Sequence, residues 1–447
     1  SLEDRTLLTA AFPEFIDPNP SADNGFGDTV VVLSTGNVVI TSPYDDAGGT
    51  DAGAVYLFDG ETKELISTLR GSSNYDRVGY SSVTVLPNGN YLVSSSDWNK
   101  GAGAVTFGNG ITGVSGIVSV ANSLIGTTQT DSVGGTGVTV LSNGNYVVSS
   151  GYWDNNGLSN VGAVTFGDGD TGVTGVVSAA NSLVGSMSYD ALGSDGVTAL
   201  SNGNFVVRSS YWDNGSVENA GAVTFGDGNT GVTGVVSVAN SLVGATSFDH
   251  VGRDDLTELS NGNFLVTSLS WDNGAAADAG AVTFGEGTTG VTGVVSAANS
   301  LIGEFADDKV GSEGVTLLPN GNYLVGSVEW NRSRGAVTFG DGMTGVNGVV
   351  SEANSLVGSF TGDKVGRYYG ITILTNGNYV VSSGYWHDSR GAVTFGDGTT
   401  GVTGVVSAAN SLIGESVDDR VSNGGVTALS NGNYVVTSSW WNNGPVD

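Results

Sequence analysis

A tryptophan followed by a carboxylate or an amide recurs along the chain, and this pair is suited to binding a sugar. An indole ring can stack on the apolar face of a sugar, while a carboxylate or amide can hydrogen-bond its hydroxyl groups. The alternative is that each Trp packs between adjacent sheets. The Trp residues are Trp98, Trp153, Trp212, Trp271, Trp330, Trp386 and Trp441. The residues directly after them are Asn99, Asp154, Asp213, Asp272, Asn331, His387 and Asn442.

An aspartate also recurs before each later Val-Gly pair or its variant. Its carboxylate could join the same ligand-binding face, or it could cap a local turn by accepting hydrogen bonds from its own backbone. A binding site needs to be made only once, whereas a packing residue is needed in every repeat, so the repetition favours structural roles for both sets. These aspartates are Asp76, Asp131, Asp190, Asp249, Asp308, Asp363 and Asp419.

The loops after the Trp residues differ from one repeat to the next. Three consecutive loops are long and carry no base, namely residues 154–161, 213–220 and 272–279. The short loops instead carry Lys100, Arg332, Arg334 and Arg390. Loops on a rigid scaffold commonly determine binding specificity, so we predict ligand binding here. The candidate residues are Trp98, Trp153, Asp154, Trp212, Asp213, Trp271, Asp272, Trp330, Arg332, Arg334 and Trp386.

These residues belong to a unit that recurs eight times. The phrase GVTALSNGNFVVRSSYW at residues 196–212 returns as GVTALSNGNYVVTSSWW at 425–441. A period of about 55 residues that holds several short β-patterned runs suits a propeller blade better than a helical repeat. The glycines of the Asn-Gly turns mark the register: Gly36, Gly89, Gly144, Gly203, Gly262, Gly321, Gly377 and Gly432.

Within the third repeat the pattern predicts four strands, at residues 137–141, 146–150, 162–167 and 181–185. Asn143-Gly144 between the first two predicts a hairpin with a type I′ turn. Residues 173–180 fit either an extended lead into the fourth strand or a separate short strand. Because successive strands of a meander run in opposite directions, the loop after the second strand and the loop after the fourth should lie at the same edge.

The sequence therefore predicts an all-β fold, a single domain over residues 1–447 that forms an eight-bladed β-propeller of four-stranded antiparallel blades. Thr6–Ala10 resembles a fourth strand without its own repeat, and the chain stops at Asp447 after two strands of the last repeat. We expect a closing blade shared by the two termini. The alternative is a seven-bladed ring with a surplus partial repeat, and the ending also predicts an excised fragment of a larger protein.

The first repeat resembles the FG-GAP blades of integrin α-type propellers through FGDTVV at 26–31, VITSP at 39–43 and GAVYLF at 53–58. The later copies, through GAVTFGDG and ANSLVG, are similar to repeats of bacterial filamentous-haemagglutinin-like surface proteins. The resemblance implies an extracellular or cell-surface adhesion protein. Calcium-binding FG-GAP blades carry a longer Asp-rich loop between strands one and two, whereas Ser201–Asn204 is too short to wrap a cation. Calcium is the one cofactor that the sequence leaves open.

Composition excludes several classes of function. The chain has 14 Lys and Arg against 44 Asp and Glu, for a formal charge of −30, which argues against nucleic acid and anionic lipid as partners. There is no Cys, and no apolar run reaches the roughly 18 residues of a membrane span. With only two His, no recurring imidazole base or three-His zinc site can form.

We therefore predict no catalytic residues and no enzymatic activity. The expected function is a recognition or adhesion module that binds a glycan or a surface protein through the loops after each Trp. One alternative is a structural spacer within a large surface protein. A second is a propeller glycosidase, which would need two carboxylates at a set separation. The sequence does not define the oligomeric state or the ligand.

Overall fold

The computed structural model describes residues 14–367 and 370–442, and this part of the chain is almost entirely β-structure. The first strands of the repeats are β1 (Val30–Val32), β5 (Ser82–Val85), β10 (Gly137–Val140), β15 (Val197–Ala199), β20 (Leu256–Glu258), β25 (Gly314–Leu317), β30 (Ile371–Ile373) and β35 (Val426–Ala428). The second strands are β2 (Val38–Ser42), β6 (Tyr91–Ser95), β11 (Tyr146–Ser150), β16 (Phe205–Ser209), β21 (Phe264–Ser268), β26 (Tyr323–Ser327), β31 (Tyr379–Ser383) and β36 (Tyr434–Val436).

The third strands, which carry the GAV sequence, are β3 (Ala54–Phe58), β7 (Ala104–Gly108), β12 (Ala163–Gly167), β17 (Ala222–Gly226), β22 (Ala281–Gly285), β27 (Ala336–Gly340) and β32 (Ala392–Gly396). The fourth strands are β4 (Leu65–Arg70), β9 (Ser123–Ile125), β14 (Ser182–Val184), β19 (Ser241–Val243), β24 (Ser300–Ile302), β29 (Ser355–Val357) and β34 (Ser411–Ile413). The four strands predicted for the third repeat are thus confirmed to within a residue at each end.

Residues 173–180, for which the sequence allowed two interpretations, contain a separate two-residue strand. Such a strand precedes each fourth strand from the second repeat onward, and it pairs in parallel with the fourth strand of the preceding repeat. Gly234, for example, lies opposite Leu183. Each repeat therefore adds an edge strand to its neighbour's sheet, which the prediction of four strands per sheet missed. These strands are β8 (Gly116–Ile117), β13 (Gly175–Val176), β18 (Gly234–Val235), β23 (Gly293–Val294), β28 (Gly348–Val349) and β33 (Gly404–Val405).

The sheets that begin with β1, β5, β15, β20 and β25 share this order of first, second, third, fourth and added strand, the first four being antiparallel. They are β1-β2-β3-β4-β8, β5-β6-β7-β9-β13, β15-β16-β17-β19-β23, β20-β21-β22-β24-β28 and β25-β26-β27-β29-β33. The seventh repeat has four strands, β30-β31-β32-β34, and the described part of the eighth has two, β35-β36. The chain divides into two compact units, one up to Val140 with Gly144–Ser182 and one of Leu141–Asn143 with the residues from Leu183 onward.

Apolar residues of successive sheets form shared cores. One core combines Leu200 and Val223 of the fourth repeat with Phe264, Val266 and Trp271 of the fifth. Burial of both faces is the reason that the second and third strands are nearly continuous apolar runs. Each repeat thus gains much of its hydrophobic stabilisation from its neighbour, as expected of a repeat array.

The Asn-Gly hairpin is not the predicted type I′ turn. In the fourth repeat the Gly203 amide donates to Leu200 and the Leu200 amide to Asn204, at 3.1 and 2.8 Å. Gly203 has a φ of +94°, while Asn202 is not left-handed. This pattern is a three-residue loop, a type I turn followed by a glycine bulge. The Asn is instead required for a contact with the next repeat, where Asn202 Nδ2 donates to the Gly287 carbonyl at 2.7 Å.

In most repeats the turn after the third strand begins with an aspartate. The Asp168 carboxylate accepts hydrogen bonds from the Asp170 and Thr171 amides, at 2.9 and 2.8 Å. These bonds lower the pKa of Asp168, and similar bonds lower the pKa of Asp227 and Asp341. The amides of this glycine-rich segment are therefore occupied by the chain's own carboxylate, which explains its GxGxxG-like sequence without a phosphate.

This turn predicts the behaviour of the protein in acid. A lowered pKa in the folded state adds stability that is present above the ordinary Asp value of about 3.9 and is lost as pH falls through the folded value. We expect a D168N/D227N/D341N variant to melt near the wild-type temperature at pH 7 but to lose less stability in acid, as measured by thermal melts from pH 7 to 2.5. Asn109 already serves this turn in the second repeat, accepting from the Ile111 amide at 2.9 Å.

The exposed Asp255 provides the control, because its substitution by Asn removes a charge without altering such a turn. Equal acid sensitivity of the triple variant and the wild type would contradict the assignment.

Candidate functional site

The loop after a second strand and the loop after the fourth strand of the same sheet lie together, as predicted. In the fourth repeat His250 Nδ1 is 3.0 Å from the Ser210 carbonyl oxygen, and the Phe248 amide donates to the Glu218 carbonyl at 2.9 Å. The His250 ring also lies 6.0 Å, between centroids, from those of Tyr211 and Phe248. We call this edge of the sheets the Trp edge.

The Trp side chains that name this edge are themselves buried. Six of them, Trp98, Trp153, Trp212, Trp271, Trp330 and Trp386, are only 3 to 9 % exposed. Several lie in the cores shared by successive sheets. Trp386 Nε1 donates to Ser359 Oγ at 3.3 Å. An enclosed indole offers no face to a sugar, so the burial favours the packing interpretation of these six residues over direct ligand contact.

Trp441 differs from the other Trp residues because it is 50 % exposed. In the described part of the eighth repeat there are two strands, and Trp441 follows the second of them. Its neighbour Trp440 is exposed as well, and the Arg420 guanidinium lies 4.8 Å from the centre of that ring.

The aspartates after the long-loop Trp residues hold their own loops in shape. Asp154 Oδ1 accepts from the Asn160 amide at 2.7 Å, and Asp213 Oδ1 accepts from the Asn219 amide at the same distance. Asp272 does the same with Asp278 at 2.9 Å. These carboxylates are half-buried, and one oxygen of each is engaged within the loop. They support the loop conformation before any ligand is considered.

The aspartates before Val-Gly are buried caps that link successive repeats. Asp249 Oδ2 accepts from the Ala245 and Thr246 amides, both at 2.8 Å, in its own turn. Its Oδ1 accepts from the Asp272 amide of the next repeat at 3.0 Å. Burial raises the pKa of Asp249, and it does the same for Asp190. The turn-capping interpretation is confirmed, and the caps also join neighbouring loops.

The two arginines of the sixth-repeat loop have different surroundings. Arg334 Nε and Nη2 donate to the Gly358 carbonyl at 2.9 and 2.6 Å, and its guanidinium lies 5.5 Å from the Trp330 ring centre. In a long loop Asn273 Nδ2 donates to the equivalent carbonyl of Gly303 at 2.9 Å. Arg334 thus replaces an amide that braces the loop, whereas Arg332 is exposed.

Exposed aromatic residues at the Trp edge are the feature that sequence reasoning missed. Tyr211, directly before a buried Trp, is 49 % exposed, and Phe248, directly before a buried Asp, is 52 % exposed. Two features of the sequence could have indicated these residues. The neighbour of a buried residue in a turn commonly faces water, and the residue type at these positions changes between repeats. Others of this kind are Tyr75, Tyr152, Tyr189 and Tyr385, while the exposed Phe305 and Phe360 lie three residues before a buried Asp.

Some of these aromatic residues occupy strained backbone positions. Phe248 has a φ of +71° and Tyr189 a φ of +72°, in the left-handed region that bulky residues rarely adopt. The sixth repeat places Gly362 at this position, with a φ of +87°. A glycine is compatible with the fold here, so packing does not explain the aromatic residue. Residues retained against backbone strain are concentrated at functional sites.

Two clefts lie at the Trp edge of the sixth and seventh repeats. The first, of about 320 Å³, is lined by Arg367, Ser382, Gly384, Tyr385, Ser389, Arg420, Ser422 and Asn423. The second, of about 430 Å³, is lined by Phe360, Thr361, Gly362, Asp363, Tyr385, His387, Asp388 and Ser389. Tyr385 and Ser389 border both, so the clefts are adjacent. The His387 ring packs 4.9 Å from that of Phe360, between centroids.

Residues 14–367 and 370–442 contain no cluster of side chains suited to binding a metal ion. Within them there is no group of three or more His, Cys, Asp or Glu side chains that could hold an ion. In the same part of the chain no helix is long and apolar enough to span a membrane. In the short loops, α1 (Trp98–Gly101), α2 (Trp330–Ser333) and α3 (Trp386–Ser389) are single turns whose two central residues have left-handed backbone angles.

The fold and its loops define an all-β repeat protein whose eight repeats form small sheets. The chain belongs to the family described as a repeat of unknown function, DUF5650, which matches residues 32–80, 85–135, 140–194, 199–253, 258–312, 317–367, 373–423 and 428–447. No curated protein matches the chain. A solved structure titled "Crystal structure of the eukaryotic initiation factor" is similar with a TM-score of 0.31 and 12 % identity, over 85 % of this chain and 75 % of that one.

Proposed function

We propose that this protein is a non-enzymatic recognition module, extracellular or at a cell surface, that binds a glycan through the exposed aromatic residues of the Trp edge. The observation that carries the proposal is the aromatic residue at left-handed backbone positions, where Gly362 serves the fold equally well. Tyr and Phe rings with one face in water are suited to the apolar faces of sugars. Ser, Thr, Asn and Asp side chains beside them can bind sugar hydroxyl groups.

In this proposal the ligand contacts are the exposed aromatic neighbours of the Trp and Asp residues, whereas the sequence predicted contacts by the Trp residues themselves. The buried Trp residues and the loop aspartates would position the loops, and residues such as Tyr211 and Phe248 would contact the ligand. The rigid sheet beneath these loops limits the conformational entropy that is lost on binding. Exposed Arg332 remains a candidate contact at the sixth repeat.

The resemblance to FG-GAP and bacterial surface repeats agrees with this role, and so does a closed eight-bladed ring, which stays a prediction. Low-resolution images of single particles would distinguish a ring from an open array of sheets.

Aromatic truncation at the fourth repeat tests the proposed function. We expect a Y211A/F248G variant to bind at least about tenfold more weakly to the glycan that the wild type selects from a mixed panel, because two stacking surfaces are lost. Its melting temperature should not fall, since glycine relieves the strain at position 248. Affinity electrophoresis and thermal melts measure the two effects.

Asp307→Gly is the matched control, because Asp307 has the same left-handed conformation in the fifth repeat, with a φ of +63°, but no aromatic ring. It should retain glycan binding. If the wild type selects no glycan, or if Y211A/F248G binds as well as the wild type, the proposal fails and a spacer role is favoured.

A further inference from the structure

The sixth and seventh repeats carry a large share of the basic residues of this acidic chain. Of its 14 Lys and Arg residues, six lie between Arg332 and Arg420, in the sixth and seventh repeats. Two of them, Arg367 and Arg420, line the cleft of about 320 Å³ beside Tyr385. Because most of the surface repels anions, a cleft with two guanidinium groups is the place where an anion would bind.

We propose that this cleft binds the carboxylate of an acidic sugar, such as a uronic acid unit of a polysaccharide. This inference rests on the proposed glycan-binding function and specifies its ligand class. A guanidinium presents a planar set of N–H donors that matches a carboxylate. The cleft walls add the hydroxyl groups of Ser382, Ser389 and Ser422, which suit sugar hydroxyls.

Aromatic rings orient both guanidinium groups. The Arg367 guanidinium lies 4.9 Å from the centre of the Tyr385 ring, and that of Arg420 lies 4.8 Å from the Trp440 ring. Stacking on a ring face helps to hold a guanidinium in place. The positions of the two cations are therefore set by the fold before a ligand arrives.

The ion pair between Arg420 and Asp418 is weak enough for a ligand to replace Asp418. Arg420 Nη2 is 3.3 Å from Asp418 Oδ1, and the two side chains are 44 % and 60 % exposed. An ion pair as exposed as this contributes little to stability. A ligand carboxylate can take the place of Asp418 at small cost, and Asp418 in turn weakens the binding of any anion by its charge.

At the positions of Arg367 and Arg420, earlier repeats carry one further pair of cations, Arg253 and Lys309, but no other pair of arginines. Another cleft, beside the first strands of the sixth and seventh repeats, is lined by Glu313, Thr316, Ile371 and glycines, with no cation among its lining residues. A carboxylate there would repel an acidic sugar. The adjacent cleft of about 430 Å³ shares Tyr385 and adds Phe360 and His387, so a second sugar unit has an aromatic surface beside the first.

Calorimetric titration with trigalacturonic acid and with its methyl ester tests this inference. We expect the acid to bind at least about tenfold more tightly than the ester, because charge-assisted hydrogen bonds exceed neutral ones. Both R367Q and R420Q should remove most of that preference, and D418N should strengthen binding of the acid. R70Q, on an exposed cation of the first repeat outside the cleft, is the matched control and should leave the preference intact. Melting temperatures confirm that each variant is folded.

The outcomes separate this inference from the proposed function. Equal affinity for acid and ester, or an equal loss in R70Q and R420Q, overturns the acidic-sugar site, while the requirement for Tyr211 and Phe248 can still hold. Tighter binding of an Asp- and Glu-rich peptide than of the acid also overturns it in favour of a protein ligand. Absence of any glycan binding overturns both proposals.

Discussion

Replacing Trp271 by alanine is expected to lower the free energy of unfolding by about 3–5 kcal/mol, the range for truncating a large buried aromatic residue. Trp271 is 4 % exposed and packs with Leu200 and Val223 of the fourth repeat and Phe264 of its own. Its loss removes contacts from two successive sheets at once. Urea denaturation measures the total effect, and hydrogen exchange should show the loss of protection first in β15–β19 and β20–β24.

Trp441→Ala is the matched control for this prediction. It removes the equivalent residue of the eighth repeat, which is 50 % exposed, and should change stability by less than about 1 kcal/mol. Trp271→Phe should cost less than Trp271→Ala, because it retains one ring and leaves a smaller cavity. Trp271 Nε1 also has no hydrogen-bond partner within the described residues. Similar costs for W271A and W441A would show that the buried indole is not a packing residue.

Replacing Asp249 by alanine is expected to lower the free energy of unfolding by about 3 kcal/mol or more. The Ala245, Thr246 and Asp272 amides would each lose their acceptor, and a hydrogen bond to a charged group contributes about 1.5–3 kcal/mol. Asp249→Asn should cost less than alanine but should still be harmful, because its amide nitrogen must face one set of donors. Urea denaturation of both variants provides the measurement.

The exposed Asp255 is the control, and its alanine variant should be within about 0.5 kcal/mol of the wild type. The Asp249 bonds also connect two repeats, so hydrogen exchange of the Asp272 amide should accelerate in D249A. A D249A protein as stable as the wild type would show that water satisfies these amides equally well.

Much of the fold followed from local pattern. Alternating β-branched residues and the Asn-Gly signal located the first and second strands of each repeat, because strand propensity and turn preference are short-range properties. The same reasoning predicted the wrong turn type. Asn202 carries an amide that bonds the Gly287 carbonyl of the following repeat, and no local rule could distinguish that use from a left-handed turn residue.

The candidate site was predicted in place but not in detail. Opposite strand directions were enough to bring the loops of His250 and Ser210 to one edge. Which aromatic residue faces water was not predictable, because Tyr211 and Trp212 are adjacent, and only the packing of the next sheet decides which one is buried. The two-residue strands were missed for a related reason, since β18 pairs with the preceding repeat and has too few residues to show a period.

The sequence by itself determined the eight repeats, their β-structure, the acidic charge and the variation among the loops, because each of these is recorded in residue type and spacing. The tertiary structure decided which residues are available to a ligand. It buried six of the repeated Trp side chains and the Asp side chains before Val-Gly, exposed Tyr211 and Phe248, and placed Arg367 and Arg420 beside one cleft. Residues about 50 apart in the chain meet there because each sheet packs on the next.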